Sequence, residues 1–479
     1  MLDLTLYRCI AFQARITPKK PALFAGGSEI SYSRFRDDID AITSVLAAQA
    51  LEPGTRVAML FKRGYLGWTV AIACLRLKLP TVHVDEIHEL AAIPECVLVT
   101  DSDAAPEGAR VIRLSQEAFK EGAAMERHRD TAPDPDALAR IVLSSGTTGT
   151  PKKIPVTYEE MRQRCMNVLP TYGVGPDTRF LVGVGTGTVG GFMFSCSVWF
   201  AGGSLVLRAP ELTQAYRTGR PTLVFVPPSF LEKLVDNAGD AATAPADAPV
   251  IFTGGAPLRD ALNESARKRL SPSLFVLYGS TEVSTVTIAP GAAVMGVAGC
   301  VGFTLPYADV QVVDDDHRPV PQGTEGMVRA RGEGMAHEYL DDEQATARAF
   351  RDGWFYPGDI GRFDRAGALH VTGRIDELAN LGGFKLAPER IDAALKDVPG
   401  LADAAAFSVR GDPNDELWLA VVEGEGFDGK AVRSRYMEAF PKHPFPKLMR
   451  LEQIPRNAMG KVRRVALREA VLKSKAAKE

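Results

Sequence analysis

IVLSSGTTGTPKK, residues 141–153, is an apolar run that breaks into glycine, hydroxyl residues and paired lysines. Ile141, Val142 and Leu143 read as the end of a buried strand. Glycine lets backbone N–H groups close on an anion, and successive amides in such a turn form a positively polarised nest. Ser144, Ser145, Thr147 and Thr148 add hydroxyl donors, and Lys152 adds a full charge. The loop suits phosphate without following the Walker pattern, because no Gly-Lys-Ser/Thr closes it. A plain surface loop has the same composition, so the rest of the chain decides.

Outward from this stretch, short β-branched or apolar runs alternate with helical segments up to about residue 300. TRVAMLF, IVLSS, LVFVPP, VIFTGG and LFVLYG are the strand-like runs; RFRDDIDAITSVLAAQA and SFLEKLVDNA lie among the helical ones. Such alternation predicts βαβ units and a largely parallel sheet. Ligands of such sheets sit at the carboxyl ends of strands, and SSGTTG, GGAPL (254–258) and YGSTE (278–282) fall there. From about residue 308 the texture changes to strands with tight turns. After Gly373 comes a smaller mixed region ending in a basic helix, VRRVALREAVLKSKAAKE.

At 479 residues the chain exceeds one compact core, so two or more domains are expected. A formal net charge of -3 argues against nucleic acid held by bulk charge. The six cysteines show no CxxC and no metal-ligand spacing, as expected of reduced thiols in a cytoplasmic enzyme. The N-terminal stretch lacks the basic-then-apolar order of a signal peptide. Phe180 to Leu207 is uncharged and long enough to span a bilayer, but its glycines favour a buried strand, a glycine-rich turn and a buried helix.

SSGTTGTPKK, GGAP, YGSTE, WFYPGDIGRFD, GRIDELANLGGFKLAPERID and NAMGKVRR occur in this order. With them the chain resembles the adenylate-forming superfamily: acyl-CoA synthetases, adenylation domains of nonribosomal peptide synthetases, and luciferases. The resemblance runs nearly end to end and implies an α/β fold. A large N-terminal domain, 1–373, would hold mixed, mainly parallel sheets with flanking helices and a β-rich subdomain. A small mobile α+β C-terminal domain, 374–479, would carry the catalytic lysine.

The implied activity is that of an AMP-forming acid–thiol ligase. ATP and Mg²⁺ activate a carboxylic acid as its acyl-adenylate with loss of pyrophosphate, and a thiol then takes the acyl group. The resemblance makes Ser144, Ser145, Gly146, Thr147, Thr148, Gly149 and Lys152 the cradle of the β- and γ-phosphates. It places Thr281 on the α-phosphate and Glu282 on Mg²⁺. Tyr278, with Gly279 and the Gly254–Gly255–Ala256 turn, would face adenine, Asp359 the ribose hydroxyls, and Arg374 ribose or phosphate. Lys461 would bridge the carboxylate and the α-phosphate, and Asp376 would be the hinge. A non-catalytic relative would be expected to lack Lys461 or Glu282, and both are present.

Several positions depart from the family pattern: Lys153 for glycine, Val276 for asparagine, Pro357 for threonine and Asn380 for lysine. GTGTVGGFMFS lacks the aspartate that pairs with an amino-acid ammonium, so an acid without an α-amine is expected. Phe192, Met193 and Phe194 suggest an apolar wall suited to an aryl or short-to-medium aliphatic acid. Coenzyme A and the phosphopantetheine of a carrier protein offer the same thiol. The basic C-terminal helix suits an acidic carrier protein or the nucleotide of CoA, and transfer to an amine is the alternative. No membrane span is expected.

Overall fold

The computed structural model describes residues 5–103, 105–144, 151–207, 211–381, 385–396, 398–411, 414–457 and 460–476. Two sheets dominate. A six-stranded sheet runs Val111–Arg113, Val97–Thr100, Val57–Leu60, Thr81–His83, Leu138–Ser144, Lys152–Thr157, parallel until its last, antiparallel pair. In that pair Ser144 stands opposite Lys152, so both ends of the glycine-rich loop are held side by side.

The second sheet has 15 strands. Pro21–Ala25, Ser204–Val206, Arg179–Val182, Leu223–Val226, Val250–Gly254 and Leu274–Ser280 lie parallel in that spatial order. The sheet then continues antiparallel through Ser284–Pro290, Cys300–Thr304, Leu369–Arg374, Asp359–Phe363 and Gly326–Gly332. The parallel order thus stops at Ser280, some 20 residues before the alternation expected from sequence.

Helix starts follow from local chemistry. Thr157 and Glu160 form a reciprocal capping box on Tyr158–Tyr172, satisfying two N-terminal amides. Thr188 caps Val189–Phe200 by accepting from the Gly191 amide. That helix is apolar on every face and buried, packed with the Trp199 indole N–H donating to the Ala22 carbonyl at 3.0 Å. The uncharged segment is therefore strand, turn and buried helix. Among the described residues no helix is long and apolar enough to cross a membrane.

Arg374 ends the last strand of the large sheet, and the chain leaves it there. Beyond it, a three-stranded sheet of Leu401–Val409, Glu416–Glu423 and Lys447–Arg450 packs with helices Pro388–Leu395, Gly429–Ala439 and Arg464–Ala476. Their buried side chains form hydrophobic clusters of their own, separate from the main core. Across the gap, the Lys396 ammonium reaches Asp260 at 3.7 Å.

Candidate active site

The carboxyl ends of the parallel strands converge on one region. Val250–Gly254 delivers the Gly254–Gly255–Ala256 turn, where glycine is required twice. A Cβ on Gly254 would lie 2.7 Å from the Leu277 carbonyl, and Gly255 has φ +87. The neighbouring strand ends in Tyr278, Gly279 and Ser280, followed by the Thr281–Glu282 turn. A Cβ on Gly279 would sit 2.0 Å from the Ser284 carbonyl oxygen, so only glycine allows this close return.

Asp359 and Arg374 are cross-strand partners, which explains their ion pair at 3.0 Å. The Tyr278 hydroxyl donates to the other oxygen of Asp359 at 2.5 Å. Asp359 is only 9% exposed. Burial pushes its carboxyl up, while Arg374, the Tyr278 hydroxyl and Lys461 pull it down. For Arg374, burial works against the charge, but Asp359, Asp376 and Glu389 outweigh it and raise the guanidinium further. Arg374 also holds Asp376 at 2.9 Å. Burial and the charge of Asp359 together push the Tyr278 phenol well up, keeping it a proton donor.

Glu282 is buried, and one oxygen accepts from the Tyr339 hydroxyl at 2.7 Å. The Lys152 ammonium lies 4.4 Å above the Tyr339 ring. This chain of contacts ties the foot of the glycine-rich loop to Glu282. Lys153, one residue on, turns to Asp341 at 2.5 Å instead.

Lys461 sits in a turn in which its amide bonds the Asn457 side chain at 3.0 Å. Gly460, at φ +84, lies against Ser229 of the helix Pro228–Ala238; a Cβ there would be 3.4 Å from the serine Cβ. The Lys461 side chain is exposed to solvent, yet enough protein surrounds it to desolvate its ammonium in part. That desolvation lowers its ammonium pKa; Asp359 and Glu282 raise it, and Arg374 adds to the lowering. The lysine therefore shares an electrostatic environment with Asp359 and Arg374 on two paired strands and with Glu282 on the turn after another.

Two contributors were missed from sequence. Arg164, 1% exposed, donates to the Thr281 carbonyl at 3.0 Å, the Glu282 carbonyl at 3.0 Å and the Gly334 carbonyl at 2.6 Å. It fixes the backbone of the turn, and burial lowers its pKa to about 10. A signal existed: Arg164 lies in the buried stripe of Tyr158, Met161, Cys165, Val168 and Tyr172. Tyr339 carried no such signal.

Ser145, Gly146, Thr147, Thr148 and Gly149 lie outside the described residues, as does most of LGGFK. Val276 is buried in an apolar cluster with Ala289 and Val294. Of the suggested apolar wall, Phe194 packs among Tyr172, Phe180 and Phe225 in the core. Phe192 lines a small cavity.

Residues 10–340 match the AMP-binding enzyme family. The indoleacetate–CoA ligase of Aromatoleum aromaticum is 26% identical over 96% of this chain and 96% of its own length. A feruloyl-CoA synthase of an Amycolatopsis species is also 26% identical, over 94% and 96% respectively. The ATP-bound crystal structure of MatB from Rhodopseudomonas palustris superimposes with a TM-score of 0.86 at 25% identity, covering 97% of this chain and 98% of that one. With the converging strand ends and the lysine that meets them, these matches show that the chain belongs to the AMP-binding, adenylate-forming enzyme family and is an AMP-forming ligase of the acyl-CoA synthetase-like type.

Proposed function

We propose that this protein converts a carboxylic acid to its acyl-adenylate and then to a thioester, with coenzyme A as the acceptor. The observation that carries the reading is the cluster of Tyr278, Asp359 and Arg374 at the strand ends, with the turn that bears Lys461 seated against Ser229. In the first step a carboxylate oxygen attacks the α-phosphorus of ATP, the bond to the β-phosphate oxygen breaks, and pyrophosphate leaves. Two anions must approach, so positive charge has to converge on them. Lys461 supplies it from the C-terminal side. The Thr281 hydroxyl bonds the α-phosphate, and the 144–149 loop with Lys152 holds the β- and γ-phosphates. Tyr278, Gly279 and the 254–256 turn face adenine, Asp359 accepts from the ribose, and Arg374 fixes Asp359 while reaching ribose or phosphate. In the second step the thiolate attacks the acyl carbonyl, the carbon–oxygen bond breaks, and AMP leaves.

Glu282 fits a magnesium role. Its second oxygen accepts no hydrogen bond among the described residues, and no cluster of three or more metal-ligating side chains occurs there. One carboxylate plus phosphate oxygens is the ligand set Mg²⁺ prefers. When bound, the ion would neutralise phosphate charge. Glu282→Gln, nearly isosteric, is expected to keep the fold and raise the Mg²⁺ concentration needed for half-maximal turnover. An unchanged Mg²⁺ midpoint removes Glu282 from the site.

The reading places a domain boundary after residue 373, with Asp376 as the hinge on which Lys461 would withdraw, and it places the enzyme in the cytoplasm. An aryl or short-to-medium aliphatic acid is the proposed substrate class, supported by the two CoA-ligase relatives. Acid-dependent pyrophosphate exchange across a carboxylic acid panel tests the first step. Coenzyme A, a phosphopantetheinylated carrier protein and an amine, offered in turn, then identify the acceptor.

A further inference from the structure

Arg140 lies in the strand Leu138–Ser144 and is 1% exposed. Its guanidinium donates to the Thr81 hydroxyl at 3.3 Å and to the Thr186 carbonyl, and it stacks over the Phe192 ring at 4.0 Å. Among the described residues it has no carboxylate partner, and its Nε has no acceptor. Burial without a counter-charge lowers its pKa to about 10. A buried cation left this way is costly and is ordinarily paired. Beside it lies a cavity of about 50 Å³, bounded by Arg140, His83, Thr186, Met59, Trp68 and Phe192.

The cavity's position matters. Thr186 belongs to the turn that follows Arg179–Val182, two strands from Val250–Gly254 in the same sheet. One wall of the cavity, Thr186, therefore lies at the carboxyl-end side of the sheet that also carries the proposed active site. Apolar walls with one cation and a few hydroxyl or imidazole groups suit the anionic end of an otherwise apolar molecule. We propose that Arg140 binds an anionic oxygen group in this cavity, a carboxylate or sulfonate carried at the far end of the acid to be activated. The substrate assignment rests on the ligase reading above; the anion site itself does not. A free small oxyanion shares the same chemistry, and the test separates the two sources.

Thermal unfolding of the full-length protein is followed in sodium formate or sodium methanesulfonate, with sodium gluconate, too large for the cavity, balancing ionic strength. The wild type is expected to gain stability in both small anions through linkage, and Arg140→Leu is expected to gain none. Pyrophosphate exchange then compares hexanoate with adipate, and 3-phenylpropanoate with its ortho-carboxylate. Wild type is expected to favour the two-anion member by about tenfold or more in kcat/KM, the scale of one bond to a charged group. In Arg140→Leu that ratio collapses, and in Arg140→Lys part of it survives. Stabilisation by formate without any diacid preference assigns the site to a free oxyanion.

Wild type that shows neither stabilisation beyond gluconate nor a two-anion preference overturns the proposal. The wild-type comparisons decide even if Arg140→Leu fails to fold. Should no acid support exchange, the ligase reading fails, while the formate shift still decides the anion site.

Discussion

Lys461→Ala lowers acid-dependent pyrophosphate exchange on the order of 10²–10³-fold, the loss expected when one preorganised electrostatic contact to a transition state is removed. Thioester formation from supplied acyl-adenylate stays largely intact, because the lysine is assigned to the first step only. Its environment also sets a pH dependence. Burial lowers the ammonium pKa, so the charged form is lost at a lower pH than for an ordinary lysine. The sign follows directly: adenylation is retained at lower pH and falls as pH rises through that lowered value. Lys461→Arg, with a guanidinium that stays charged, moves the alkaline limb upward in whatever activity it keeps. Equal damage to both half-reactions in Lys461→Ala would mean that the substitution disturbs the domain rather than the chemistry.

Arg164→Met costs several kcal/mol of stability and most of the activity. The substitution leaves the carbonyls of Thr281, Glu282 and Gly334 without their common donor. A buried acceptor left unpaired costs about 1–3 kcal/mol, and bonds to charged groups lie at the upper end. Met keeps the apolar stem but leaves the space of the guanidinium empty, so the loss combines the missing hydrogen bonds with a small cavity. Arg164→Lys reaches fewer of the three carbonyls and is expected to fall between. Denaturant unfolding measures the first effect. The second appears as a fall in kcat with a shifted Mg²⁺ midpoint, since Glu282 rides on the same turn. Wild-type stability in Arg164→Met would refute the positioning role.

The fold was legible where local chemistry carries it. Strand runs ended by turn residues placed TRVAMLF, LVFVPP and LFVLYG correctly, and the glycines of GGAP and YGSTE marked turns where a Cβ would collide with backbone. The uncharged segment 180–207 was read correctly because glycines break its apolar run. Legibility failed where side chains meet across long separations. The Tyr339 hydroxyl reaches Glu282 over 57 residues, and Arg164 reaches the same turn over 118. Arg140 could have been flagged, being a cation inside the buried run LARIVL, but the strand was read only from Ile141 onward. Lys461 was legible only through resemblance. Its charge is one among many in a basic tail, and its significance comes from the cleft that brings it to Asp359 and Glu282.

The central claim, that a carboxylate attacks the α-phosphorus of ATP, has one direct test. An acid that supports exchange is labelled with oxygen-18 in its carboxylate and turned over with ATP and coenzyme A, and the nucleotide product is weighed. The account predicts AMP that carries one heavy oxygen, taken from the acid as the carbon–oxygen bond breaks in the thiol step. Unlabelled AMP, or ADP in its place, would contradict it.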